Sequence, residues 1–219
     1  MAVLVIIIII VGAIVYYKKT AGSDNAKLVK ELTRGKNQVQ TDVLTYFVRE
    51  GCGAKTITDQ QYYNIVSNMS AQYNSMQQAL RRIGLDEDEV KEIPPVHFEG
   101  FKFDEVAYYK KTASGHWVSS VYETAWIFFS DSQVHVYRCR FNLDDDNKSE
   151  ITDEYFYKDV TAFKTVQEDE VTADGKRVPT TTFAMSGAGI DFACSLTEVK
   201  DFETSIRGMK QKLREKKNA

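Results

Sequence analysis

The first seventeen residues, Met1 to Tyr17, carry no charged side chain and include the isoleucine run Ile6–Ile10. A helix of that length spans roughly 25 Å, at the short end of what crosses a hydrocarbon core of roughly 30 Å. Lys18 and Lys19 follow at once and can extend their charged ends toward lipid headgroups. The run therefore predicts an N-terminal transmembrane helix, with an anchor over residues 1–19.

Three alternatives compete with the anchor. A cleaved signal peptide has its basic residues before the apolar run, whereas here Lys18 and Lys19 come after it. A buried core helix needs a polar face that the isoleucines do not leave, and a buried strand is usually shorter. Because Lys27 and Lys30 also follow the run, the positive-inside tendency predicts a single-pass cell-membrane protein with its soluble part in the cytoplasm.

The rest of the chain has the composition of a globular domain. Of the 219 residues, 43% are hydrophobic and 12% aromatic, enough for a real core. The net charge of −3 gives no clustered basic excess, so nucleic acid is not expected as a partner. Cys52, Cys139 and Cys194 are odd in number and widely spaced, which favours reduced thiols over a disulfide framework.

Residues 20–95 have helical periodicity. One interrupted helix is predicted from about 24 to 50, and the glycines Gly51 and Gly53 then end it. A second helix begins at Thr58, and Gly84 ends it. The cheapest arrangement is an antiparallel helical hairpin, with a domain boundary at the prolines Pro94 and Pro95.

The second helix carries an apolar seam whose members are spaced alternately by four and three residues, as in a coiled coil. A core face of the hairpin is the simpler interpretation, and a homo-oligomer contact through the hairpin is the alternative. The seam consists of Tyr62, Val66, Met69, Tyr73, Met76, Leu80 and Ile83.

From Val96 onward the pattern changes to short alternating segments rich in aromatic and β-branched residues, typical of strands. Ser130–Ser132 and Asp174–Gly175 are predicted hairpin turns. Seven or eight antiparallel strands in about a hundred residues favour a closed or nearly closed barrel or a sandwich. A final amphipathic helix, predicted to be capped by Thr197, would plug an open end. Its apolar stripe is Val199, Phe202, Ile206, Met209 and Leu213.

Three local patterns resemble the bacterial pleckstrin-homology-like (PH-like) and GRAM-type domains. Residues 126–137 (WIFFSDSQVHVY) resemble their central hairpin, residues 155–163 (YFYKDVTAF) the step into the next strand, and residues 186–192 (SGAGIDF) the final hairpin. The resemblance covers about Phe98 to Leu213. It implies an α+β fold in which residues 96–219 form an antiparallel PH-like β-barrel, closed by the C-terminal helix.

The sequence offers little catalytic or metal-binding chemistry. His97, His116 and His135 lie in strand-like segments without ligand spacing. Residues 144–151 are acidic in a way that resembles a calcium loop, but Ser149 and Tyr155 occupy the places where glycine and glutamate are needed. We therefore predict no enzyme activity, no catalytic residues, no cofactor and no metal.

Two basic clusters are candidate contacts to an anionic surface, although solvated charged faces are the simpler interpretation. The first lies where PH-like domains often bind anionic headgroups, and the second lies on the final helix. The candidates are Lys102, Lys110, Lys111, Lys210, Lys212, Arg214, Lys216 and Lys217.

Together these observations predict a membrane-tethered, non-enzymatic binding or scaffold protein whose PH-like domain docks a protein or an anionic lipid surface. The alternative is a small-molecule sensor or carrier with a ligand pocket inside the β-domain. A packed interior with an exposed groove would favour the first, and an empty apolar cavity the second.

Overall fold

The computed structural model describes residues 25–49, 56–90, 94–104, 106–172, 174–200 and 202–217. In the N-terminal part, helical segments run over residues 25–32 (α1), Gln38–Val48 (α2), Asp59–Ser70 (α3) and Met76–Ile83 (α4). A short 3-10 helix at Glu87–Val90 follows them, and Phe202–Lys217 (α5) is the C-terminal helix. Asn37 and Thr58 cap α2 and α3 with reciprocal side-chain hydrogen bonds, which explains where these two helices begin.

The strands form antiparallel sheets. A four-stranded sheet has the order β1-β4-β5-β6, a three-stranded sheet the order β7-β8-β9, and β2 pairs with β3. Consecutive strands in the two larger sheets are mostly neighbours, so the connections are short turns. The bounds are Val96–Lys102 (β1), Tyr109–Lys111 (β2), Trp117–Ser119 (β3), Val121–Phe129 (β4), Gln133–Asn142 (β5), Lys148–Phe156 (β6), Val160–Val171 (β7), Arg177–Gly187 (β8) and Ile190–Ser195 (β9).

The predicted closed barrel is wrong: among the described residues the two larger sheets stay separate. Where β1 approaches β9, hydrogen bonds from side chains to the backbone join the two regions, in place of a ladder of backbone hydrogen bonds. The hydroxyl of Ser195 donates to the carbonyl of Phe101 at 3.0 Å, and the amide of Phe101 donates to Oγ1 of Thr197 at 2.8 Å. Gly100 permits this approach, since a Cβ there would lie 2.4 Å from both hydroxyl oxygens. The result is an open pair of sheets, α+β as expected but not closed.

The predicted anchor over residues 1–19 lies outside the described residues. Within the part of the chain that is described, we find no helix with both the length and the apolarity needed to cross a membrane. The structure therefore gives no support to the predicted transmembrane helix or to single-pass membrane localisation. Both predictions are withdrawn, together with the cytoplasmic placement that depended on them.

The helices α2 to α4 cover the outer face of the four-stranded sheet, whereas the sequence predicted that the helices of the hairpin pack mainly against each other. Tyr46 of α2 stacks on Tyr62 of α3, with ring centroids 4.5 Å apart, so the two helices do touch. Both rings belong to a buried cluster that continues into Phe101, Phe128 and other residues of the sheet. The sheet, rather than a second helix, is thus the main partner of this layer, and residues on both sides of the predicted boundary at 95 share one core.

The predicted second helix is also interrupted. It ends at Ser70 and restarts at Met76, and within the break the carbonyl of Asn74 accepts a hydrogen bond from Nε1 of Trp126 at 2.7 Å. That carbonyl would otherwise bond within a continuous helix. At Gly84 the chain adopts φ +83°, the left-handed conformation that ends α4 as predicted.

The inner face of the four-stranded sheet packs against the three-stranded sheet and α5. Phe98, Phe163 and Phe183 meet there, with ring centroids of 5.0 and 5.9 Å between neighbours. The predicted apolar stripe of α5 contributes to the same core through Ile206, Met209 and Leu213. Thr197, however, does not cap α5: the helix is described from Phe202, and Thr197 bonds to β1 instead.

Candidate functional site

An open cleft of about 440 Å³ lies between α5 and β7, which is an edge strand of its sheet. We call it the basic cleft, because Arg207, Lys210 and Arg214 line it. Positions separated by three and four residues share one helix face, so these cations form a row along the cleft. Its other lining residues are Thr165, Glu203, Ile206 and Gln211.

The three cations of the basic cleft have no ion-pair partner within 4 Å among the described residues. Arg207 makes a long contact of 3.5 Å to Oγ1 of Thr204, and Glu203 is the one carboxylate in the lining. A charge row without acidic partners keeps its potential for an incoming anion. The row of cations can therefore attract and bind a negatively charged group.

The other basic residues predicted on α5 lie elsewhere. Nζ of Lys212 is 3.6 Å from Oε2 of Glu215, and Nζ of Lys216 is 3.5 Å from Oδ1 of Asp131. Lys217 ends α5, and its side chain lies outside the described residues. The candidates chosen from the sequence thus include Lys210 and Arg214 but leave out Arg207, the first residue of the same basic stretch, although the spacing 207, 210, 214 already places the three on one face.

The lysines of the predicted basic cluster make contacts within the chain: these are Lys102, Lys110 and Lys111. Lys102 forms an ion pair with Glu170 of β7. Nζ of Lys110 donates to the carbonyl of Tyr46 at 2.7 Å and lies 3.2 Å from the ring centroid of Tyr46. Burial lowers the pKa of Lys110 from its usual value, although the Asp59 charge opposes the shift. Lys111 is exposed and lies over Trp117, so these lysines do not form one free patch.

The predicted helix seam lies against the four-stranded sheet of the same chain. Tyr62, Val66 and Leu80 are buried in the outer cluster. Their partners are the apolar side chains of β1, β4 and β5. The remaining seam residues are partly buried against that cluster: Met69, Tyr73, Met76 and Ile83.

A pair of carboxylates lies where the outer layer meets the link between β9 and α5. Oε2 of Glu99 accepts from the hydroxyl of Ser70 at 2.8 Å, and the amide of Glu198 approaches the carbonyl of Glu99 at 3.4 Å. Partial burial, followed by the charge of Glu99, raises the pKa of Glu198 to about 7. Glu198 keeps an exposed side chain, so water weakens this coupling.

Another carboxylate, that of Glu123, is buried between the sheets. The amide of Ser195 donates to its Oε1 at 2.5 Å. Burial raises the pKa of Glu123, while the charges of Lys102, Arg138 and Arg140 oppose the shift. This carboxylate ties β4 to β9, and we interpret it as structural.

Among the described residues, the histidines and cysteines do not converge. Nε2 of His97 lies 2.6 Å from Oγ1 of Thr124, and Nε2 of His135 lies 3.1 Å from the hydroxyl of Ser130. Burial raises the pKa of the thiols of Cys139 and Cys194, which keeps them protonated and poorly reactive. Across the described ranges, no group of three or more histidine, cysteine or acidic side chains is placed to hold a metal ion.

The acidic loop after β5 uses its side chains within the chain. Asp145 accepts from the backbone and the side chain of Asn147 at 2.8 and 2.7 Å. Asp146 accepts from Nε2 of Gln40 at 2.7 Å, which connects the loop to α2. The carboxylates of Asp145 and Asp146 therefore shape the loop and its contact with the helical layer.

No family model, no curated protein and no solved structure matches this chain. Among the described residues, the basic cleft is the strongest candidate for a binding surface.

Proposed function

We propose that this protein is a non-enzymatic docking protein that binds an acidic, extended segment of a protein partner in the basic cleft. The observation that carries the proposal is the row of Arg207, Lys210 and Arg214 facing the edge strand β7. An edge strand presents backbone amides and carbonyls that an extended segment can pair with, and the cations select acidic side chains. Recognition needs both features at one place.

We also propose that the domain is PH-like. A seven-strand arrangement, with β2 and β3 as an additional hairpin, is followed by one amphipathic helix, in agreement with the order that the resemblance implies. The helical layer on the outer face is an addition to that arrangement. A PH-like domain of this kind would leave α5 and β7 available as its docking surface.

The alternative of a ligand pocket inside the β-domain has less support. The space between the two larger sheets is filled by buried aromatic and aliphatic side chains, among them Phe98, Phe183 and Met185. The clefts on the two sides of α5 are both open to the surface. This favours docking on the outside of the domain over enclosure of a molecule within it.

The test uses the full chain and a synthetic peptide in which glutamate alternates with valine. We expect binding at low salt that weakens as salt increases, since exposed charges are screened over about 10 Å at 0.1 M. Reversing all three charges, with Arg207→Glu, Lys210→Glu and Arg214→Glu, should weaken peptide binding by about tenfold or more, equivalent to about 1.4 kcal/mol. Calorimetry measures both effects.

A matched control reverses three exposed cations of the N-terminal helical part of the chain, Lys30, Arg34 and Arg81, and changes the net charge equally. Peptide binding should stay within about twofold, because charges outside the cleft add little at short range. Equal weakening in both variants would mean nonspecific charge attraction and would refute the proposal. Binding to vesicles of anionic lipid but not to the peptide would also refute it, in favour of a lipid surface.

A further inference from the structure

A second cleft, of about 410 Å³, lies on the other side of α5, between the helix and the start of β1. We call it the apolar cleft. Its volume lies in the range of small-molecule sites, about 300 to 1,000 Å³. Gln211 lines both clefts, so α5 forms the ridge between them. The other lining residues are Pro94, Pro95, Val96, Phe129, Ser205, Gly208, Met209, Lys212 and Glu215.

The floor of the apolar cleft is part of the inner core. Phe129 and Met209 are buried there, and Val96 is packed against the same cluster. The two prolines form a wall with few conformations of their own, since each ring fixes φ. A rigid, apolar surface of this kind binds an aliphatic group without a large ordering cost.

Gly208 is the notable residue of the wall that α5 provides. Glycine inside a helix costs about 1 kcal/mol relative to alanine. A Cβ at this position would meet nothing within 4 Å, so the packing of the described chain does not require glycine here. The missing side chain leaves the helix backbone bare and widens the cleft.

Lys212, at the mouth of the apolar cleft, has an ion-pair partner that can move away. The side chain of Lys212 is 23% exposed, and its Nζ lies 3.6 Å from Oε2 of Glu215, longer than a hydrogen bond. The side chain of Glu215 is 52% exposed and can turn into solvent. Lys212 and Glu215 are the two charged side chains of the lining, so an anion that displaces Glu215 would leave Lys212 beside it.

We infer that the apolar cleft binds an aliphatic carboxylate. Its hydrocarbon chain would lie on Phe129 and Met209 across from Gly208, and its carboxylate would replace Glu215 beside Lys212. The negative charge complements Lys212, and the apolar floor accommodates the hydrocarbon chain. This inference does not depend on the basic cleft, because the two clefts share only Gln211 among their lining residues.

The first experiment adds decanoate to the full, isotope-labelled chain and follows the backbone amides by NMR. We expect saturable shifts at Gly208, Met209 and Val96, and smaller shifts at Thr165 across the helix. Decanol has the same chain without the charge, and we expect it to bind about tenfold more weakly, as loss of one charge-assisted contact implies. Decylammonium should bind no better than decanol, because Lys212 repels it.

The second experiment compares variants by calorimetry. Gly208→Leu fills the cleft, replaces a poor helix former with a good one, and should reduce decanoate binding by about tenfold or more while α5 stays folded. The matched control is Thr204→Leu, an exposed position of α5 outside both clefts, which should leave the affinity within about twofold. Lys212→Gln should reduce decanoate binding and leave decanol binding unchanged.

Two results would overturn the inference. Decanoate bound by Gly208→Leu as well as by the natural chain would place the bound molecule elsewhere, for example on the apolar run Met1–Tyr17 that every variant keeps. Equal binding of decanoate, decanol and decylammonium would remove the role of Lys212. Circular dichroism of Gly208→Leu confirms that any loss of binding is not a loss of the fold.

Discussion

The two faces of the four-stranded sheet are covered in different ways. On the outer face, the helical layer joins the sheet through apolar area and through single polar contacts, for example Trp126 to Asn74 and Ser70 to Glu99. On the inner face, the three-stranded sheet and α5 bury aromatic and aliphatic side chains, and polar contacts such as Ser195 to Glu123 and Arg138 to Ala193 join the two sheets. Apolar area supplies stability but little direction, whereas hydrogen bonds fix orientation at a modest net gain. Apolar area therefore supplies most of the stability on both faces, and the polar contacts set where the helices and the second sheet lie.

The largest expected effect tests whether the two faces are one cooperative unit. Phe98 faces the inner core and Phe128 the outer cluster, and both are fully buried. Truncating either to alanine should cost about 3–5 kcal/mol of unfolding free energy, because each leaves a cavity. Urea unfolding should show one transition by circular dichroism and by the fluorescence of Trp117 and Trp126, which pack against the outer cluster, since β1 and β4 belong to both faces.

The control for this pair is Val106→Ala, whose side chain is 66% exposed and should change stability by less than about 0.5 kcal/mol. A fluorescence transition that precedes the change in circular dichroism would contradict the single unit. It would show that the helical layer unfolds while the two larger sheets remain paired.

A smaller effect sharpens the role of the polar contacts. Asp59, at the start of α3, accepts from the hydroxyl of Tyr46 at 2.7 Å and from the amide of Ala113 at 2.7 Å. It therefore joins two helices to the loop between β2 and β3. Asp59→Ala should cost about 1–2 kcal/mol by leaving these donors without an acceptor, measured as a shift of the urea midpoint.

The matched variant for Asp59 is Asp42→Ala, since Asp42 accepts from Gln38 on the same exposed helix face. Its cost should stay below about 0.5 kcal/mol. Equal costs for the two variants would mean that Asp59 does not orient the layer. Asp59→Asn, which keeps an acceptor oxygen, should recover part of the loss.

Sequence reasoning succeeded where a pattern depends on local physics. The apolar stripe Ile206, Met209 and Leu213 identifies the buried face of α5, because one face of a helix must be apolar to pack. The hairpin at Asp174–Gly175 follows from the φ of +78° that Gly175 adopts. Neither inference requires knowledge of distant parts of the chain.

The same reasoning failed where the partner had to be known. The seam around Tyr62 and Leu80 shows that one helix face is buried, but periodicity does not say that a sheet buries it. Barrel closure was decided by Ser195 and Thr197, whose hydroxyls occupy the backbone groups of Phe101 that a ladder would use. Such contacts join positions about ninety residues apart, and no local pattern announces them.

For the candidate sites, the charges and their helical spacing were readable from the sequence, but the elements that face them were not. The sequence-based candidates placed Lys210 and Lys212 in one basic set, although positions two apart do not share a helix face. The structure puts Lys210 in the basic cleft and Lys212 in the apolar cleft. That β7 borders one face and the start of β1 the other follows from packing of the whole inner core, which spacing along one helix does not determine.

The smallest expected effect concerns the place where the helical layer meets the link between β9 and α5. Glu198 lies beside Glu99 there. Its folded pKa of about 7 exceeds the usual value of 4.5, so the folded state binds more protons between those limits. Stability should therefore be highest below pH 4.5 as far as this group is concerned, and should fall as pH rises toward 7. Screening by water limits the change to less than about 1 kcal/mol.

Other groups titrate nearby, so the measurement must be a difference. Burial lowers the pKa of His97 and His135 below 6.5, which makes stability fall as pH decreases and opposes the effect of Glu198. Subtracting the unfolding free energies of Glu198→Gln from those of the natural chain, at pH 5, 6, 7 and 8, removes every group that both proteins share. A natural chain that loses stability relative to Glu198→Gln between pH 5 and 7 would confirm that folding raises the pKa of Glu198. A flat difference would show that folding does not raise it.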